Sequence, residues 1–203
     1  DHRLNDVWSM NATVQYADYD KYYQNLYPVD FDAAAATVSL DGYDDTTSRK
    51  NTLLQLNLIG QLSIGALEHT LLAGAEFGDQ ETANSRRDAY FFDSQDDQIT
   101  FRFTDPLNIP GVTQTEPVRD TRSDVGFTSL FIQDEIRLND QWSVVAGLRW
   151  DEFEIDVLDD IEVNDGIEDG NSGVLSSKDR EVSPRAGIIY KPTDTTSLYG
   201  SYS

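Results

Sequence analysis

Lys50-Asn51-Thr52-Leu53-Leu54-Gln55-Leu56-Asn57-Leu58-Ile59-Gly60-Gln61-Leu62, then Ser63-Ile64-Gly65-Ala66, then Leu67-Glu68-His69-Thr70-Leu71-Leu72-Ala73-Gly74-Ala75-Glu76-Phe77: this stretch decides the fold class. Read at period two, its first part sets Thr52, Leu54, Leu56, Leu58 and Leu62 on one face and Gln55, Asn57, Gln61 and Ser63 on the other. That alternation is the mark of a β-strand with one apolar side. Ile64-Gly65-Ala66 makes a small turn, and residues 67–77 return as a second strand, whose Gly74, like Gly78 just beyond, suits a closely approached or tilted wall. The result is a tight hairpin.

The same pattern recurs along the chain. In residues 125–138, Leu130, Ile132 and Ile136 oppose Gln133, Glu135 and Arg137; after the turn Asn139-Asp140, Trp142, Val144, Ala146, Leu148 and Trp150 alternate with Ser143, Gly147, Arg149 and Asp151. A third pair covers 182–190 and 197 to the end, joined by Lys191-Pro192-Thr193-Asp194, whose Pro and Asp favour a turn. With an opening strand from Val7 to about Tyr19, the spacing predicts seven strands. Short turns near residues 64, 140 and 193 alternate with long polar segments at 20–49, 79–123 and 158–180, so every short link falls on one side. Outer-membrane barrels have this asymmetry of tight periplasmic turns and long external loops; soluble sandwiches rarely do. Arg3-Leu4-Asn5-Asp6-Val7-Trp8-Ser9 reappears as Arg137-Leu138-Asn139-Asp140-Gln141-Trp142-Ser143, each reading as a turn feeding an ascending strand. An aromatic follows each Trp by eight residues, at Tyr16 and Trp150. Eight residues of strand tilted by roughly 40° rise about 20 Å, close to the height of an apolar band between two aromatic girdles.

Composition narrows the function classes. The 203 residues carry 15 Lys and Arg against 37 Asp and Glu, a formal charge of −22, which argues against a nucleic-acid backbone as partner. No window approaches the run of about 18 apolar residues that a membrane helix needs. Cysteine is absent, which removes disulfides, thiolate metal sites and a Cys nucleophile together. The two histidines, His2 and His69, lie near proposed turn ends without a catalytic spacing, His69 reading as an interface residue, so no enzyme and no bound cofactor is expected. Asp156, Asp159, Asp160, Glu162, Asp165, Glu168 and Asp169 are dense enough to suggest calcium, but the spacing fails the helix–loop–helix motif and reads as a solvated loop.

Residues 67–77, Ser129-Leu130-Phe131-Ile132-Gln133-Asp134-Glu135, the strand from Trp142 to Trp150, and Ser183-Pro184-Arg185-Ala186-Gly187 through Ser197-Leu198-Tyr199-Gly200-Ser201-Tyr202 resemble, in order, successive barrel strands of TonB-dependent siderophore receptors, nearest to the ferric-hydroxamate or ferrichrome kind. The resemblance implies a bacterial outer-membrane location, a barrel of 22 strands, and energy-coupled uptake of a ferric siderophore. It also implies that residues 1–203 are an internal part of that barrel, with the plug domain, through which TonB couples, and the last strands outside this sequence. Outer-membrane lipid and the ferric siderophore are the expected partners, and no cofactor is bound covalently. The predicted fold class is therefore an all-β antiparallel transmembrane barrel segment. A passive porin and a soluble β-sandwich adhesin are the alternatives.

Two aromatic groups fall in the predicted external segments: Tyr22, Tyr23 and Tyr27 in the first, and Tyr90, Phe91 and Phe92 beside Arg86 and Arg87 in the second. Aromatics next to arginines can hold a chelate by stacking and cation–π contact, and these eight are the candidate ligand residues.

Overall fold

The computed structural model describes residues 2–92, 95–165 (main chain alone for Asp165) and 173–203. They form one antiparallel sheet of nine strands: β1 (His2–Arg3), β2 (Trp8–Asp32), β3 (Thr37–Ile64), β4 (Leu67–Phe91), β5 (Ile99–Arg102), β6 (Val112–Arg137), β7 (Trp142–Asp159), β8 (Val174–Thr193) and β9 (Thr196–Tyr202), with a one-and-a-half-turn helix α1 (Asp160–Asp165). The order is β1-β2-β3-β4-β6-β7-β8-β9, with β5 pairing on the far end of β3. The seven long strands are those expected, each paired with its neighbour in sequence apart from the short β5.

Register carries the two faces across the whole wall. Ala12, Leu56, Ala75, Leu130, Trp150 and Val182 lie on one transverse row, and Met10, Leu58, Ala73, Ile132, Leu148 and Pro184 on the next. Because partners across a ladder share a face, these rows make one continuous apolar surface. Among the described residues nothing covers it: Leu130 is 48% exposed, Ile132 54% and Leu148 50%. The buried hydrophobic residues among those described, Ala89, Phe91 and Ile99, sit far from this band. A β-sandwich would bury such a face against a second sheet, so that alternative fails. One polar pair interrupts the surface near its short-turn end, where His69 Nδ1 lies 2.7 Å from Asp134 Oδ2.

The opposite face is polar and internally bonded. Arg149 Nη2 donates to Glu76 Oε2 and to Ser129 Oγ, both at 2.7 Å, its Nε donates to Asp151 Oδ1 at 2.8 Å, and Gln55 Nε2 donates to Glu76 Oε1 at 3.1 Å. Gly74 and Gly78 lie directly opposite Phe131 and Phe127, and a Cβ at either would run into the facing ring. Their absent side chains let the aromatic lie flat over the neighbouring strand.

The repeated Arg-Leu-Asn-Asp segment folds into the same turn twice. Asn5 Oδ1 accepts from the main-chain N–H of Val7 and Trp8, both at 2.9 Å, and Asn139 Oδ1 accepts from Gln141 and Trp142 at 2.9 and 3.0 Å. Leu4 and Leu138 each donate to the following Trp carbonyl at 2.9 Å, and Arg3 and Arg137 each reach the turn Asp at 2.8 Å. Asn is suited to this because its short side chain mimics a main-chain turn. In the second copy Trp142 stacks on Tyr190 at 4.3 Å, one row from the turn, as a girdle residue does.

The boundaries at the other end differ from expectation. Segments 20–49 and 79–123, expected as loops, are largely strand: β2 and β3 stay paired to the turn at residues 33–36, and β4 and β6 stay paired to Phe91 and Val112. Beyond the apolar band both faces are wet, so hydrophobic alternation disappears while the hydrogen-bonded ladder continues. Of the acidic stretch, Asp156 and Asp159 end β7 and Asp160 and Glu162 lie on α1; residues 166–172 lie outside the described residues.

Candidate functional site

The extended strands carry the period-two rule past the band and sort the candidate residues into two groups. Tyr23 pairs with Asp45 and Asp45 with Arg86, in the parity of the polar face; Tyr27, Tyr43, Asp41 and Asp88 share that side. Tyr22, Asp44 and Arg87 have the opposite parity. Neighbours in sequence thus end up on opposite sides of a wall one strand thick.

On the polar side the tyrosines converge. Tyr43 lies 6.1 Å from Tyr23 and 5.8 Å from Tyr27 between ring centroids, and the Arg86 guanidinium sits 4.1 Å above the Tyr43 ring. Arg86 donates to Asp45 Oδ2 through Nε at 3.0 Å and Nη2 at 2.8 Å, while Asn84 Nδ2 donates to Asp45 Oδ1 at 2.6 Å. Burial pushes the Asp45 carboxyl up, but the hydrogen bonds from Asn84 and Arg86 and the Arg86 charge outweigh it and hold the group below the ordinary carboxylate range. Tyr27 Oη donates to Asp41 Oδ2 at 3.1 Å; burial first, and this bond to a carboxylate second, raise the phenol above its ordinary value. Asp88 is raised as well, by burial and then by the charge of Asp41. Lys21 completes the group, 5.6 Å from the Tyr23 ring. The arrangement offers aromatic surface, one neutralised guanidinium and a carboxylate rim.

On the other side the same residue types build structure. Arg87 makes a two-pronged pair with Asp44, at 3.1 and 2.8 Å, and Asp44 is 2% exposed. Tyr22 Oη also reaches Asp44, at 3.4 Å. Phe91 is fully buried with Ala89 and Ile99, packed by Leu26, Leu40 and Val112. Phe92 is 61% exposed and adopts a positive φ of 59° at the end of β4, and Tyr90, half-buried, alternates to the polar side. Of the eight candidates, the structure brings together Tyr23, Tyr27 and Arg86, places Tyr90 on their side, and commits Phe91 to a core and Tyr22 and Arg87 to the opposite side. Tyr43, the ring at the centre of the cluster, was missed. The available signal was strand parity: Tyr43, Asp45 and Thr47 step by two into Arg49 and Asn51, in phase with Gln55 and Asn57.

Known proteins share this fold. A family model described as "TonB dependent receptor-like, beta-barrel" matches residues 1–203. A probable TonB-dependent siderophore receptor of Acinetobacter baumannii, PiuA, is 27% identical over 164 residues, covering 73% of this chain and 21% of that protein. Its crystal structure superposes with a TM-score of 0.75 at 24% identity, over 98% of this chain and 30% of that one. The metal-pseudopaline receptor CntO of Pseudomonas aeruginosa is 24% identical over 223 residues, covering all of this chain and 28% of its own length. The outer-membrane ferripyoverdine receptor of the same organism, solved with ferripyoverdine bound, has a TM-score of 0.71 at 16% identity, over 96% of this chain and 24% of that one. The chain therefore spans between a fifth and a third of the curated relatives it matches.

Proposed function

From a chain that belongs to the TonB-dependent receptor-like β-barrel family, we propose that the intact protein takes up a ferric siderophore across the bacterial outer membrane, driven through TonB, and that this segment supplies barrel wall and part of the ligand vestibule. The family's members are outer-membrane transport receptors, and its match over every residue leaves the passive-porin alternative without support. The apolar face then meets lipid and the polar face lines the lumen. In the same reading residues 1–203 are an internal portion of a 22-stranded barrel, whose remaining strands pair the two open edges of this sheet and whose plug gates the lumen; unpaired edges are not stable in lipid. No reaction is catalysed.

The observation that carries the ligand assignment is the cluster of Tyr23, Tyr27, Tyr43 and Arg86 on the lumen side, above the apolar band. Rigid aromatic surface beside a guanidinium contacts a bulky chelate at small cost in side-chain entropy. The finer assignment, a ferric hydroxamate of the ferrichrome kind, rests on loop lengths and the general run of the sequence. Relatives are named for pseudopaline–metal complexes and for ferripyoverdine, so a ligand screen should include each of these chelate types. Alanine at Tyr23, Tyr27 and Tyr43 together in the intact receptor should weaken ferric-siderophore binding by about 1–3 kcal/mol, the typical cost of lost aromatic contacts, with normal barrel assembly. Unchanged affinity for the ligand found in that screen would remove this wall from the site.

A further inference from the structure

The transverse row through the tyrosine cluster runs Tyr23, Asp45, Arg86, Arg119. Its last two members are arginines placed directly opposite each other on β4 and β6. Like charges in that relation are destabilising, and an anion between them relieves the cost. Asp45 supplies one carboxylate, but both Arg86 contacts fall on it. Arg119 draws on the same carboxylate only from a distance; it is exposed and, among the described residues, has no ion-pair partner of its own. Two guanidiniums therefore share one negative charge, and the second stands on β6 directly opposite Arg86, whose own guanidinium covers the Tyr43 ring.

Position along the strands sorts the charges: on this face of β2, β3, β4 and β6 above the band, Lys21, Arg49, Arg86 and Arg119 lie no farther out than the Asp45 row, whereas the acids Asp30, Asp32, Asp41 and Asp88 lie beyond it. Asp159 continues the row below on β7, but its carboxylate is engaged by the main-chain N–H groups of Ile161 and Glu162 at the start of α1. Asp41 and Asp88 lie nearer the strand ends than Arg86, so an entering ligand passes acids at the rim before it reaches the cations.

We propose that Arg119, together with Arg86, is an anion-reading point of the vestibule, and that the chelate it takes carries negative charge on its outer oxygens, as carboxylate and catecholate chelates of iron do. This rests on the vestibule reading above and replaces its finer choice of a hydroxamate. Three hydroxamates neutralise a ferric ion and leave no charge for an unpaired guanidinium to read. Three catecholates leave the complex strongly negative, with oxygens that match the planar fork of Arg.

The test uses the intact receptor in detergent, with a ferric tris-catecholate and a neutral ferric trihydroxamate as probes, at low and high salt. Wild type should favour the tris-catecholate, with affinity falling as salt rises. Arg119→Gln should weaken tris-catecholate binding by roughly tenfold or more and change trihydroxamate binding by less than about twofold, while Arg119→Lys keeps part of the affinity. Arg122→Gln, which removes a cation from the opposite side, should leave both unchanged. A receptor that binds no anionic chelate, or an Arg119→Gln variant that treats the two probes alike, overturns the inference. If Arg119→Gln is silent while the Tyr23, Tyr27 and Tyr43 variant loses binding, the charge inference falls and the vestibule reading stands. If both are silent, the vestibule reading falls too.

Discussion

Leu56 and Asn57 in the band, and Arg86 and Arg87 in the extension above it, are adjacent pairs that the same pleat sends to opposite sides. In the band the difference is written into residue type, because one face is continuously apolar and the other polar. In the extension it is not: one arginine lies over a tyrosine on the lumen wall and the other closes on a 2%-exposed aspartate outside it. The comparison teaches that solvent on both faces erases the sequence signal of a strand without ending the strand. Function then has to be read from parity carried upward out of the band.

The sharpest way to break the comparison lies within the band. Arg at Leu56 or Ile132 should destabilise the intact barrel by about 2–4 kcal/mol, the cost of a cation near the bilayer midplane, whereas Arg at Asn57 should be mild. Reversible unfolding in lipid vesicles measures both. Equal costs at Leu56 and Asn57 would mean that the two faces are not lipid and lumen. Close behind comes the glycine pair. Gly78→Ala places a methyl against the Phe127 ring and should cost about 1–3 kcal/mol, while Gly126→Ala, with nothing within 4 Å of the new carbon, should be nearly neutral in thermal unfolding.

How far the sequence could be read follows from the same physics. The seven long strands, the side of the short turns and the apolar face at Leu54, Leu56, Leu58, Leu130 and Ile132 were legible, because a wall with one apolar and one polar face forces alternation on every strand that crosses it. The Arg-Leu-Asn-Asp repeat was legible down to its geometry, since an Asn at that position closes the turn by itself. The extension was not. Tyr22 and Tyr23 carry identical side chains, and only the register Tyr23 to Asp45 to Arg86 assigns one to the site and the other to the Asp44 pair. Phe91 looked like a ligand aromatic because the strand β5, which folds back beside β3 and brings Ile99 over it, has no signal in its four residues.

Within the extension the two arginines can be separated by what their loss does. Arg87→Ala leaves Asp44 buried without its counter-charge. It should destabilise the extension by about 1–3 kcal/mol, below the range for a fully buried pair because the Arg87 side chain is 42% exposed, with ligand affinity unchanged. Arg86→Ala should do the reverse in proportion, weakening ligand binding more than it loosens the strands. Hydrogen exchange of the β3 and β4 amides beside a binding titration reads both. The same dominant effect in both variants would remove the distinction between the two sides.

The smallest expected effect concerns Asp88, whose carboxyl is raised above its ordinary value of 3.8 by burial and by Asp41. A raised acid binds its proton more tightly in the folded chain than in the unfolded one. By linkage, stability falls as pH climbs from that ordinary value through the raised one. The penalty is complete at neutral pH and absent in acid below 3.8, where Asp88 is protonated in both states. Asp88→Asn removes the charge and so should slow exchange of the neighbouring β4 amides at neutral pH by roughly two- to threefold. At pH 3 the variant and the wild type should exchange alike once intrinsic rates are corrected. Asp45 is the internal contrast: its carboxyl is held low, so its contribution is present above the ordinary value and is lost as pH falls through the lowered one, and Asp45→Asn should speed exchange at neutral pH. If Asp88→Asn also speeds exchange at neutral pH, Asp88 is a needed partner of Arg86 instead of a strained rim acid. The rim would then be part of the cation network rather than a barrier in front of it.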